Sequence, residues 1–136
     1  KLDVNYIEGS QVIADILYPI PEPNFNVEKD VYKNRFTVSS EGTLEQNISI
    51  NFQVSRNEFS KDAIKYALYD GDGTKLATGY LNQGMVTLID NLYFKEVESR
   101  DFVLILWLQE TPEDQSTEQG NKLAGRIVIQ SKQYGY

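Results

Sequence analysis

Residues Arg100 to Glu110 read RDFVLILWLQE, and seven consecutive side chains, Phe102 to Leu108, are apolar in an otherwise acidic and polar chain. The run is far short of the about 20 apolar residues that a membrane-crossing helix needs. Its β-branched, aromatic and aliphatic content suits a strand covered on both faces. As a strand it directs Phe102, Leu104, Leu106 and Leu108 to one side and Val103, Ile105 and Trp107 to the other. One side packs on an opposing sheet. The second requires a cover: a loop, a terminal segment or another subunit.

Outward from this run the dominant pattern has period two. In Asn47 to Ser55 the apolar set Ile48, Ile50, Phe52 and Val54 alternates with Asn47, Ser49, Asn51 and Gln53, which is the signature of a half-buried strand. Phe36 and Val38 repeat it within Arg35 to Ser39. Leu2, Val4 and Tyr6 do so at the start, and Val12 to Leu17 follows less regularly. A hairpin is expected where Ile64 to Tyr69 leads into Asp70-Gly-Asp-Gly-Thr74 and Lys75 to Leu81 leads out, because the Asp-Gly pairs tolerate positive φ. Met85 to Ile89 and Leu123 to Ile129 read as further strands, separated by a polar loop from Thr111 to Asn121. Helical patterning is weak. Asn57 to Tyr69 is compatible with one short helix capped near Ser60. Short strands at short intervals predict an all-β, two-sheet antiparallel sandwich of jelly-roll or immunoglobulin-like type. Residues 1–136 form a single domain in this reading. Within it, 1–17 is a first strand or a donated one, and 18–24 is a Pro-rich linker stiffened by Pro19, Pro21 and Pro23.

Composition narrows the function. Asp plus Glu is 20 and Lys plus Arg is 13, a net charge of −7 that repels phosphate backbones and anionic membranes, so nucleic acid is not an expected partner. Cysteine and histidine are both absent, which removes disulfides, thiol nucleophiles, imidazole bases and Cys/His zinc sites. Asp70 and Asp72 resemble the start of a calcium loop. The sixth and twelfth positions of that pattern, however, are Lys75 and Leu81 rather than Gly and Glu, so a turn is expected. Glu113, Asp114 and Glu118 read as a solvated acidic loop. Tyr66, Tyr69, Tyr80 and Tyr93 offer aromatic surface for a carbohydrate- or protein-binding module, although aromatics also serve strand packing. No catalytic, cofactor-binding or metal-binding residue is assigned, and no cofactor or enzymatic activity is expected. The chain opens on Lys1 without Met, which fits either a processed chain that has lost a leader or a truncated one.

Taken in order, Val4-Asn-Tyr-Ile7, Tyr18-Pro-Ile-Pro-Glu-Pro23, Arg35-Phe-Thr-Val-Ser39, Ile48-Ser-Ile-Asn-Phe-Gln-Val54, Ile64-Lys-Tyr-Ala-Leu-Tyr-Asp70, Phe102 to Glu110 and Gln119 to Ile127 resemble small exported β-sandwich proteins of Gram-positive bacteria, of the camelysin and TasA biofilm-fibre kind. The resemblance covers most of the chain. It implies secretion or surface location and a non-catalytic structural or adhesive role. The implied partners are further copies of the chain, in filaments built by strand exchange, or a cell-surface polymer. Camelysin is classed as a metallopeptidase, but a chain without histidine cannot build the usual two-histidine zinc helix, so peptidase activity does not carry over.

Overall fold

A computed structural model describes residues 4–15, 18–40 and 43–135, with residues 4–6 traced by backbone alone. Eight strands form: β1 (Val4–Ala14), β2 (Tyr32–Ser40), β3 (Gln46–Asn57), β4 (Ile64–Asp70), β5 (Lys75–Tyr80), β6 (Met85–Phe94), β7 (Glu98–Leu108) and β8 (Leu123–Gln133). They make two four-stranded antiparallel sheets, ordered β1-β8-β3-β6 and β2-β7-β4-β5. The expected sandwich is therefore present, and the first strand pairs with the last, as in a jelly roll built from two Greek keys. Leu2, Ile16 and Leu17 of the sequence pattern lie outside the described residues.

The main core is built from the alternating faces. Ile48, Ile50, Phe52 and Val54 of β3 meet Phe102, Leu104, Leu106 and Leu108 of β7, joined by Ile64, Tyr66 and Leu68 of β4. The Tyr66 hydroxyl stays satisfied in this apolar layer by donating to the Leu88 carbonyl of the opposite sheet at 2.9 Å. Gly125 of β8 marks the tightest approach. A methyl group there would stand 2.4 Å from the Phe52 ring and 2.3 Å from the Gln53 carbonyl oxygen. Backbone cannot yield as a flexible side chain does, so Gly125→Ala is expected to cost about 1–3 kcal/mol, read as a lower denaturant midpoint at unchanged slope.

Val103, Ile105 and Trp107 lie on the outer face of β7 with Ala67 and Tyr69 of β4, and all five are buried. Their cover is the segment between β1 and β2. Ile20, Phe25, Val27 and Val31 pack over them as a strap. The Pro-rich stretch, expected as a linker, thus doubles as a lid on the second face of the sheet. Ile20 is pinned by its amide to the Leu108 carbonyl (3.0 Å), while its carbonyl accepts from the Glu110 amide (2.8 Å). Phe25 sits edge-on to Tyr69 at 5.1 Å, above Gly73 of the β4–β5 turn. Lys33 Nζ donates to the carbonyls of Phe25 (2.8 Å) and Val27 (3.3 Å).

Glu22 on the strap pairs with Lys75 at 2.6 Å and Lys65 at 3.8 Å, and the Lys75 hydrogen bond holds its carboxyl below the usual carboxylate range. A depressed folded-state pKa stabilises above the unfolded value and loses that contribution as pH falls through the folded one. Glu22→Gln should accordingly cost at most about 1 kcal/mol at neutral pH, since the pair is partly exposed. The difference from the unsubstituted chain should begin to shrink as melts are taken down through the ordinary carboxylate range, about pH 4, and vanish only below the lowered folded-state value.

Two expectations need correcting. Asn57 to Ala63 is not helical: Asn57 Oδ1 accepts the Phe59 amide, Ala63 N–H bonds Ser60 O, and Asp62 takes a positive φ of 60°. The loop from Thr111 to Asn121 is less solvated than its charges imply. It holds a 3₁₀ turn, Ser116–Glu118, and Glu118 is buried, accepting the Ser60 amide at 3.2 Å and the Asn121 side-chain amide at 3.3 Å. Glu113 and Asp114 do remain exposed.

Candidate functional site

The sequence-derived candidates do not assemble. Asp70 Oδ1 accepts the amides of Asp72 (2.9 Å) and Thr74 (3.0 Å), so this carboxylate completes its own turn. Tyr66 and Tyr69 are buried on opposite faces of β4, while Tyr80 and Tyr93 are exposed on different sheets. They form no common aromatic row. Among the described residues no group of three or more Asp or Glu side chains is placed to hold a metal ion, and no helix is long and apolar enough to cross a membrane.

What the fold does build is a groove that no local sequence pattern announces. β1 and β2 are edge strands of the two sheets, and the sandwich is open between them. The opening has a volume of about 390 Å³. Ile7, Val12, Tyr32, Phe36, Ile127 and Ile129 line it, with Gln11, Asn34, Arg35 and Thr37 adding polar groups. Ile7 is 62% exposed.

The two rims differ. β1 breaks register with β8 between Glu8 and Gln11, and Arg126 caps the Gly9 carbonyl at 3.1 Å. Such irregularities blunt an edge against further pairing. β2 has no such defence. Its nine residues pair with β7 without a register shift, from Tyr32 opposite Leu106 to Ser40 opposite Glu98. Its other side presents backbone donors and acceptors in regular extended geometry.

No family model matches the sequence, and no curated protein matches it either. Among solved structures the fold is similar to chains in the structures of infectious bursal disease virus Gt strain and Gx strain. Identities are 11% and 13%, and TM-scores are 0.41 and 0.36. Both matches cover 99% of this chain but 32% and 33% of the viral chains, so it spans about a third of their length. A likeness this remote carries nothing about function or partners.

Proposed function

We propose that this domain is a non-catalytic structural or adhesive module that associates with copies of itself, through a strand added along the free edge of β2 over the β1–β2 groove. One observation carries the reading: an unbroken nine-residue edge stands beside a partly apolar opening. Main-chain hydrogen bonds along an edge supply affinity, and pockets for alternate side chains supply register. β1 is the segment suited to exchange, because its pairing is with β8 alone and its two halves are already separated by the break at Glu8 to Gln11. The resemblance of the strand sequences to exported Gram-positive fibre proteins supports a setting at a bacterial surface.

Ile7→Lys tests this directly. Ile7 is largely exposed, so the change should leave the melting temperature nearly unaltered while setting a charge in the groove. Sedimentation velocity and negative-stain microscopy at high protein concentration should show assemblies for the unsubstituted chain and monomers for Ile7→Lys. Val97→Lys, at a position 76% exposed and outside the groove, should still assemble. A chain that stays monomeric at high concentration, or two variants that behave alike, would overturn the reading.

A further inference from the structure

The far end of the β1-β8-β3-β6 sheet carries a second feature, separate from the groove. Tyr93 on β6 and Tyr134, just past β8, are 44% and 49% exposed. Their ring centroids are 5.0 Å apart and their planes meet at 76°, an edge-to-face contact that makes a corner in which part of each ring stays exposed. This corner is pre-organised. The Tyr93 hydroxyl donates to the Glu45 carboxylate, the Tyr134 amide donates to the Glu45 carbonyl at 2.9 Å, and Arg100 fixes the Tyr93 carbonyl at 3.1 Å.

Aromatic faces at steep angles with a carboxylate beside them are a setting for cations. The ring quadrupole presents negative charge at its face and attracts both quaternary and lysine-type ammonium groups, the quaternary one losing less on leaving water because it has no N–H to hydrate. The chain uses the same chemistry internally: Arg100 lies 4.7 Å from the Phe94 centroid and Lys65 5.5 Å from that of Tyr80. Among the described residues no lysine or arginine stands over Tyr93 or Tyr134. The hydrogen bond to Glu45, with desolvation and then the charges of Glu45 and Glu98 adding to it, pushes the Tyr93 phenol up to about 12. A chain of net charge −7 also draws cations toward itself at long range.

We infer that the Tyr93–Tyr134 corner, with Glu45, binds an alkylammonium group. The group is either a small quaternary ammonium or the side chain of a lysine. Glu45 supplies charge complementarity, and the two rings supply contact area at little conformational cost, being held already.

Choline, N-acetyl-lysine methylamide and 3,3-dimethylbutan-1-ol, the neutral carbon analogue of choline, serve as probes for a nitrogen–proton NMR titration of the full chain at constant ionic strength. At least one of the two cations should give saturable shifts at the Glu45, Tyr93 and Tyr134 amides, and the neutral analogue should not. The tighter cation names the source. Tyr134→Ala should weaken binding about tenfold, and Glu45→Gln should weaken it severalfold. Tyr93→Leu, which keeps apolar bulk on β6, should weaken it as Tyr134→Ala does. Equal shifts from choline and its neutral analogue would reduce the corner to an apolar patch. Binding unchanged in Tyr134→Ala, or no response to either cation, would likewise overturn the assignment.

Discussion

Ile50→Asp is expected to leave the domain unfolded at room temperature. Ile50 is fully buried at the centre of β3, opposite Ile129 on β8 and Ile89 on β6, and packed in the main core. The substitution removes packing worth about 2–5 kcal/mol. It also buries a carboxylate with no partner, which costs several kcal/mol more whether the group stays charged or takes up a proton. Domains of this kind are held by only about 5–15 kcal/mol in total, so the sum approaches or exceeds the whole. The neighbouring Ser49 points to the outer face and donates to Asp90. Ser49→Ala therefore removes one surface hydrogen bond and should cost about 1 kcal/mol. It is a cleaner control than Ser49→Asp, which would set a second carboxylate against Asp90. Circular dichroism melts of the two variants decide the point: a cooperative transition for Ile50→Asp near that of Ser49→Ala would mean that β3 is not the centre of the sandwich.

The outer face of β3 shows where alternation stops being a sufficient guide. Asn51 shares that face with Ser49 and reads as solvent-facing, yet it is only 4% exposed. Its side chain is sandwiched by the adjacent strands, donating to the Val128 carbonyl (3.2 Å) and accepting from Thr87 (2.9 Å). Period two reports which way a side chain points, not what its neighbours on adjacent strands do with it. The same limit separates what could be read from what could not. Residues 47–54, the Asp70 to Thr74 turn and the Phe102 to Leu108 run declare themselves because their signals are local. β6 and β8 continue beyond Ile89 and Ile129 because pairing with β3 carries them on, as in Gln46 opposite Phe94 and opposite Gln133. The burial of Glu118 depends on an amide 58 residues away. The groove depends on β1 and β2 both being edge strands, a property of strand order that composition and periodicity do not encode.

The strap is the most consequential of these non-local features, because it answers what covers the second face of the apolar run. Ile20, Phe25, Val27 and Val31 have neither helical nor strand spacing, and Pro19 and Pro21 flank Ile20 and, with Pro23, precede the other three. Extended backbone with proline cannot join a ladder as a central strand, but it can lie across a sheet and lower its side chains into the face. Trp107→Ala measures whether that contact is a second core or a surface drape. Trp107 is fully buried beneath the strap, and its indole N–H donates to Gln109 Oε1 at 2.8 Å. Gln109 is in turn the residue bridged to Ile20. Removing the indole empties the largest fully buried side-chain volume in the molecule and frees the end of the strap at once. The expected cost is about 3–5 kcal/mol, with amide exchange accelerated most at Ile20 and Glu110, whose hydrogen bonds tie strap to β7. Trp107→Phe should recover a substantial part of the loss by refilling much of the space, without restoring the bond to Gln109. If Trp107→Ala instead costs less than about 1 kcal/mol, as surface substitutions do, the strap does not seal the face, and the continuous apolar run must owe its second cover to something outside the chain.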